Sequence, residues 1–218
     1  MPETTQVTHR STSNVYIAST WLNELPDIIA LDFEAALRFT PDELASAQTE
    51  LDSIEDKRSD RALELAAILK ASALSHPAYV VPTHLSIGIS ESEAIVIIID
   101  SDKMLHFIMN WLVTTKRTQI WHNASYDFKL IFYYTQGKLP INFEDSAVLA
   151  KCLLNHVEIF KARVRLKDLM GYKYGDWAIS ADNFDLSQIH EPHVIKYAAI
   201  DACATFALWN EMTEFAKE

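Results

Sequence analysis

Four acidic residues in this chain lie in short segments whose composition and spacing could build a metal site. These residues are Asp32, Glu34, Asp127 and Asp201. Carboxylate oxygens are ligands for hard divalent cations, and four of them converging from separate elements could hold a pair of such ions. The usual work of such a pair is hydrolysis of phosphate esters. Each segment alone is common by chance, but the set in this order predicts a nuclease.

Asp32 and Glu34 follow an apolar run over residues 28–31, which predicts a buried strand at residues 27–33. Side chains two residues apart on a strand face the same way, so both carboxylates can leave one face of a sheet. The alternative is a strand that simply ends at the solvent.

Asp127 belongs to a segment that begins at Asn123 and contains Tyr126. We predict a short strand at residues 119–121 and a helix at residues 126–136. A carboxylate in the first turn of a helix is favoured by the helix dipole alone, and Asn123 could end the strand or cap the helix. This segment alone therefore fits either a structural or a chemical role.

Tyr197 and Asp201 are one turn apart on a C-terminal helix that we predict to begin at Pro192. The helix face that they share is otherwise largely apolar. An aspartate there is costly to bury unless it is paired or bound to metal, which favours a functional role. Tyr197 taken alone would more often be a core residue whose hydroxyl is satisfied elsewhere.

The elements that must position these residues follow from hydrophobic patterns and helix signals. Thr40, Pro41 and Glu43 form a capping box at the start of a helical insertion, which we place at residues 40–76. Two β-like runs then predict a hairpin, followed by further helices and a loop rich in Gly, Tyr and Asp. The ranges are 85–90 and 94–99 for the hairpin, 103–113 and 146–154 for two helices, and 171–185 for the loop.

This order predicts an α/β protein with a mixed sheet of about five strands flanked by helices, and with the helical insertion after the first strand. We expect residues 1–26 to be an N-terminal tail, frayed over the polar stretch 1–14. Residues 27–218 are then expected to form one domain.

The chain has 218 residues and a formal net charge of −11. It would remain acidic without the four candidate ligands, which argues against a broad electrostatic grip on duplex DNA and permits a narrow site for a strand end. No apolar stretch predicts a membrane-spanning helix or a signal peptide. The two cysteines, Cys152 and Cys203, do not make a disulfide framework, so we expect a cytoplasmic protein.

One basic stretch stands out in this acidic chain. It contains Lys161, Arg163, Arg165 and Lys167, which alternate with apolar residues. The stretch is either a solvated loop or edge strand, or a contact for phosphate.

Together the three segments resemble the D-x-E, N-x-x-Y-D and Y-x-x-x-D motifs of the DnaQ-like 3′–5′ exonucleases. The match is to the tyrosine subclass, which includes ribonuclease D and the proofreading domains of family A DNA polymerases. The histidine subclass would have a histidine five residues before the last aspartate, where this chain has Lys196. The resemblance covers about residues 27–212, and the motifs are specific only as a set.

The resemblance implies a ribonuclease H-like fold and a site for two divalent cations, Mg²⁺ or Mn²⁺. Asp32 would bridge both cations, with Glu34 and Asp201 completing the site that activates water. Asp127 would serve the second cation, and Tyr197 would orient the attacking water at the terminal phosphodiester.

The substrate implied by the resemblance is the 3′ end of a DNA strand, whose terminal nucleotides Asn123 and Tyr126 would hold. Nucleoside 5′-monophosphates would be released. No polymerase region follows the third motif, so we expect a free-standing enzyme that proofreads in trans for a separately encoded DNA polymerase, in a bacterial or phage-infected cell. The insertion would contact the substrate strand or a partner.

Two alternatives to this function stay open. One is a ribonuclease D-like enzyme that trims RNA 3′ ends. The other is an inactive exonuclease-like module that binds a polymerase or nucleic acid, against which the four intact carboxylates argue.

Overall fold

A computed structural model of the chain describes residues 4–73, 76–154, 164–175, 177 and 186–217. The described residues form six strands and eight α-helices. The strands are β1 (Thr8–Thr12), β2 (Ile28–Leu37), β3 (Val80–Gly88), β4 (Glu93–Ile98), β5 (Thr118–Trp121) and β6 (Phe143–Asp145). The helices are α1 (Val15–Asn23), α2 (Pro41–Ser53), α3 (Asp60–Ala73), α4 (Asp102–Thr114), α5 (Ser125–Tyr134), α6 (Ser146–Leu154), α7 (Leu166–Tyr174) and α8 (Pro192–Phe215).

The strands form one mixed sheet in the order β1-β4-β3-β2-β5-β6. The central strands β2, β3 and β4 pair antiparallel, while β1, β5 and β6 join the sheet in parallel. The predicted α/β class with a helix-flanked mixed sheet is therefore confirmed, and the predicted hairpin is the β3–β4 pair.

Alternation along the strands divides the interior into two cores, one on each face of the sheet. On β2, Leu31 and Phe33 enter a core with α1, α4 and α5. On β4, Val96 and Ile98 enter a second core with α7 and α8. Asp32 and Glu34 take the opposite parity to Phe33, so they leave the sheet on the side that α8 covers.

The helical insertion is confirmed as two helices, α2 and α3, between β2 and β3. The Thr40 side chain accepts from the Glu43 backbone N–H while the Glu43 carboxylate accepts from the Thr40 backbone N–H, as the capping box predicts. The backbone N–H of Arg38 donates to the carbonyl of Tyr79 over 2.8 Å. The two ends of the insertion are therefore held together where the chain leaves and re-enters the sheet.

The expected frayed N-terminus is wrong for β1, and the helix α1 also lies in the segment assigned to a tail. Four of the five β1 side chains are exposed, so hydrophobic alternation gives no signal there. The strand forms because it pairs with β4, 84 residues away at the Thr8–Ser92 contact. The guanidinium of Arg10 lies 4.5 Å from the centre of the Trp21 ring, which connects β1 to α1.

The expected loop at residues 171–185 is wrong at its beginning. Residues 171–174 complete α7, where Leu169, Met170 and Tyr174 are buried against α8. The Gly-, Tyr- and Asp-rich composition predicted a loop from residue 171, but the helix continues past Gly171 to a cap at Gly175, whose φ is 73°. Residues 176 and 178–185 lie outside the described part of the chain.

None of the helices in the described part of the chain combines the length and the hydrophobicity needed to cross a bilayer.

Candidate metal centre

Three of the four predicted carboxylates meet at the junction of β2 and α8. Carboxylate oxygens of Asp32, Glu34 and Asp201 all lie within 4.8 Å of one another. Strand periodicity brings Asp32 and Glu34 to one face, and α8 crosses that face with Asp201 directed at them. The register of β2 against β3 shifts immediately after Glu34. Irregularities of this kind re-aim side chains, and here one lies at the edge of the cluster.

The cluster is a concentration of negative charge in a poorly hydrated place. Burial, followed by the charges of Glu34, Asp201 and Asp127, raises the pKa of Asp32 well above its ordinary value. Burial and the charge of Asp201 raise the pKa of Glu34 to about 8, although a hydrogen bond from Asp32 and the charge of Lys167 act in the other direction. Without bound cations the fold therefore favours the protonated forms of Asp32 and Glu34.

Asp127 lies beside this cluster, in the first turn of α5. It is 5% exposed, and its Oδ1 accepts a hydrogen bond of 3.2 Å from the backbone N–H of Phe33. Burial raises the pKa of Asp127 to about 7, while the Phe33 hydrogen bond lowers it. Because Phe33 stands between Asp32 and Glu34, this bond fixes the fourth carboxylate to the strand that carries the first two.

Tyr197 lies one turn before Asp201 on α8, as predicted, and is 8% exposed. Its hydroxyl accepts a hydrogen bond of 2.6 Å from Nζ of Lys167 and is hydrogen-bonded to Asp201. Burial and then the nearby carboxylates raise the pKa of Tyr197 above its ordinary value. On the other side of Asp201, Nε1 of Trp177 donates to Oδ1 over 2.6 Å.

Asn123 occupies a tight turn between β5 and α5, at a φ of 58°. Asn tolerates this left-handed conformation better than most residues. The Asp145 carboxylate accepts hydrogen bonds from the backbone N–H groups of Asn123 and Ala124, at 3.0 and 2.9 Å, and so stabilises the turn. The side chain of Asn123 lines the cleft in front of the carboxylates.

Tyr126 follows on the first turn of α5 and is half-buried. Burial and the charges of Asp127, Glu34 and Asp32 raise its pKa to about 12, so the phenol is neutral and lies near the acidic cluster. Both residues predicted to hold a substrate therefore border the carboxylates.

The cleft has a volume of about 560 Å³ and opens onto Asp32 and Asp201. Three basic residues, Lys151, Arg165 and Lys167, also line the cleft and make up its basic wall. Arg165 also pairs with Asp168, its Nε lying 2.7 Å from Oδ2. Of the predicted basic stretch, Lys161 and Arg163 lie outside the described residues.

The donor set fits a hard divalent cation. All three converging groups are carboxylates, which suit Mg²⁺ and Mn²⁺ and do not suit metals that prefer sulfur. Burial and mutual repulsion raise the pKa values of Asp32 and Glu34, so positive charge at this point would favour their ionised forms. Bound cations would supply it.

Comparison with known proteins links this fold to nucleases. No protein-family model and no curated protein sequence matches the chain. Among solved structures, Brucella melitensis NrnC with bound Mg²⁺ is similar with a TM-score of 0.52 and 15% identity, over 99% of this chain and 83% of NrnC. The Nibbler EXO domain of Aedes aegypti has a TM-score of 0.57 at 10% identity, over 99% of this chain and 93% of that domain.

Escherichia coli RNase D, an exoribonuclease involved in structured RNA processing, has a TM-score of 0.54 and 15% identity. The likeness covers 97% of this chain and 46% of RNase D. At such low identity the three likenesses show the fold alone. The fold is shared.

Two residues that stabilise the site belong to no sequence motif that predicts such a role. Trp177 lies in a stretch interpreted as loop, and only its contact with Asp201 reveals a role. Asp145 was not predicted as a site residue, but its carboxylate accepts hydrogen bonds from four backbone N–H groups around the site, those of Asn123, Ala124, Ala147 and Val148.

Proposed function

We propose that the protein is a metal-dependent 3′–5′ exonuclease that releases nucleoside 5′-monophosphates from single-stranded 3′ ends. The observation that carries the proposal is the convergence of Asp32, Glu34 and Asp201 within 4.8 Å, with Asp127 fixed beside them. The shared fold with nucleases and the position of Tyr197 one turn before Asp201 support the tyrosine subclass of these enzymes.

The carboxylates would hold the cations, with Asp32 at the centre of the set and Asp127 beside it. Divalent cations bound there would stabilise the entering and leaving oxygens of an in-line displacement at phosphorus. Hydrolysis adds the oxygen of water to the terminal phosphorus and breaks its bond to the 3′ oxygen of the preceding nucleotide. That oxygen leaves with a proton as the new 3′ hydroxyl.

Tyr197 would orient the attacking water through its hydroxyl. The raised pKa of Tyr197 keeps the phenol protonated, so it acts by hydrogen bonding and not as a base. Asn123 and Tyr126 would hold the terminal nucleotides, because Asn123 lines the cleft and Tyr126 lies near the carboxylates.

The substrate is proposed to be single-stranded because the chain is strongly acidic, while three basic residues line its cleft. A net charge of −11 opposes broad binding to duplex DNA, whereas Lys151 and Arg165 can face the phosphates of one strand inside the cleft. We favour DNA as substrate, with a separate DNA polymerase as partner.

RNA is a second candidate substrate. The likeness to RNase D, over 97% of this chain, favours it. Trimming of RNA 3′ ends would use the same carboxylates and the same tyrosine, so the site does not separate the two substrates.

Matched DNA and RNA oligonucleotides labelled at the 5′ end test the proposal. In Mg²⁺ or Mn²⁺ the wild type should shorten them one nucleotide at a time from the 3′ end, and EDTA should stop the reaction. Asp32→Ala should abolish the ladder, and Tyr197→Phe should slow it. Equal activity of Asp32→Ala and wild type would refute the proposal, and the relative rates decide between DNA and RNA.

A further inference from the structure

Lys167 connects the basic wall of the cleft to the acidic centre. It lies in the first turn of α7 and lines the cleft together with Asp32 and Asp201. Its Nζ is 2.6 Å from the hydroxyl oxygen of Tyr197 and 4.7 Å from the centre of the Tyr197 ring. The ammonium group therefore both donates a hydrogen bond to the phenol and lies against its ring.

The donors and acceptors of the side chains determine the direction of these hydrogen bonds. A lysine ammonium group has only donors, so the oxygen of Tyr197 must be the acceptor in this contact. The phenol has one proton, and Asp201 is its hydrogen-bonding neighbour on the next turn of α8. The contact with Lys167 thus favours the rotamer of the hydroxyl in which its proton points towards Asp201.

The same part of the chain also holds Asp201 from its other side. Trp177, three residues after the end of α7, donates its indole N–H to Oδ1 of Asp201. Its ring packs edge-on against Tyr174, with 5.9 Å between the ring centres. Lys167 and Trp177 therefore each donate a hydrogen bond to α8, on two consecutive turns of that helix.

We infer that Lys167 is a positioning residue, which fixes the phenol of Tyr197 for its work at the metal centre. This inference rests on the proposed function. Lys167 acts through Tyr197 and does not bind the substrate phosphate, although it shares the cleft wall with Lys151. Removing its amino group should leave the Tyr197 hydroxyl without the contact that favours one orientation, and should lower kcat more than it changes KM.

A double-mutant cycle tests this assignment in the full-length protein. Lys167→Met should lower kcat about tenfold with little change in KM, as expected when a residue that orients another is removed. In a Tyr197→Phe background the same substitution should lower kcat by no more than about twofold, because the group that it positions is gone. Lys167→Arg, which keeps a charged donor, should recover part of the loss.

Lys196→Met is the matched control. Lys196 precedes Tyr197 on α8 but is exposed, and burial together with its charge lowers the pKa of His9, so the variant removes the same charge at a residue with no role at the phenol. Lys151→Met probes the other role, since a lysine that binds phosphate should alter KM. Lys167→Met would overturn the inference if it raised KM in the same way, or if it cost as much kcat with Phe as with Tyr at position 197.

Thermal unfolding in EDTA gives a readout that does not depend on nuclease activity. The decrease in melting temperature of the double variant should be smaller than the sum of the two single decreases, because both single variants remove one shared contact. Additive decreases would show that the two side chains do not interact and would overturn the inference. A wild type that cuts no nucleic acid would instead refute the proposed function, leaving the unfolding cycle to decide the contact.

Discussion

The backbone N–H of Phe33 donates to Oδ1 of Asp127 over 3.2 Å, which joins the start of α5 to the middle of the candidate metal centre. The donor lies between Asp32 and Glu34, and its side chain points into the core on the opposite face of the sheet. Asp127 therefore has two distinct roles. Its Oδ1 satisfies a buried backbone group, and its negative charge adds to the carboxylate cluster.

Two substitutions at Asp127 should separate these functions. Asp127→Asn keeps an oxygen acceptor for the Phe33 N–H, so the fold should persist while exonuclease activity falls by about 100-fold through the lost charge. Asp127→Ala leaves the buried N–H without its partner and should also lower the free energy of unfolding by about 1–3 kcal/mol. Urea unfolding and ladder assays on both variants measure the difference. Equal stability of the two variants would show that the hydrogen bond is unimportant.

Stability of the metal-free protein should decrease as pH rises. Glu34 has a pKa of about 8 in the folded chain against an ordinary 4.5, so between about pH 5 and pH 8 the folded state retains a proton that the unfolded state has released. Rising pH therefore favours unfolding over this interval. Mg²⁺ should restore stability near pH 8, because the cations bind the folded carboxylates.

Glu34→Gln is the control for this prediction. Burial lowers the pKa of both His84 and His122, which makes stability rise with pH through the ordinary histidine range and so opposes the effect of Glu34. The difference between wild type and Glu34→Gln cancels the histidines. Urea unfolding in EDTA should show a steeper fall for the wild type; identical pH profiles would refute the assignment to Glu34.

Close packing of α8 on β3 should make Gly88 intolerant of a side chain. A Cβ atom at this position would lie 2.6 Å from the carbonyl oxygen of Ala202, the residue after Asp201. Gly88→Ala should therefore displace α8, lower the free energy of unfolding by about 1–3 kcal/mol and reduce activity. Gly171→Ala is the matched control, since no atom lies within 4 Å of its added Cβ and alanine favours a helix. It should be neutral or stabilising, and a similar loss in both variants would contradict the packing argument.

The insertion should influence which ends the enzyme accepts. Because the Arg38–Tyr79 hydrogen bond closes its base, deleting residues 42–75 and joining the ends with a short glycine-rich linker should leave the sheet intact. We expect the shortened protein to retain metal-dependent cleavage but to change its preference among DNA and RNA ends, or its association with a partner. Unchanged activity on every end and unchanged association would refute a role for the insertion.

The predictable part of the site depends on local periodicity. Strand alternation is enough to place Asp32 and Glu34 on one face, and helix periodicity is enough to put Tyr197 and Asp201 on one side of α8. Their convergence could not be read from these patterns, because it depends on how α8 crosses the sheet. The family resemblance supplied that step, and the geometry of Asp32, Glu34 and Asp201 agrees with it.

The parts that sequence reasoning missed depend on distant contacts. β1 has a polar, exposed sequence and forms only because β4 offers it an edge. Lys167 was recognised as one member of a basic stretch, with no sign that its amino group would reach Tyr197. Trp177 reaches Asp201 across 24 residues. No periodic pattern encodes such contacts.

The most direct test of the central claim is the identity of the product released from a strand with radioactive phosphate in its last phosphodiester bond. With Mg²⁺ the wild type should release that phosphate as a nucleoside 5′-monophosphate before any internal fragment forms. Asp32→Ala and Asp201→Asn should release none, and neither should the wild type in EDTA. Internal fragments from the start, a nucleoside 3′-monophosphate, or an undiminished rate in either variant would contradict the account.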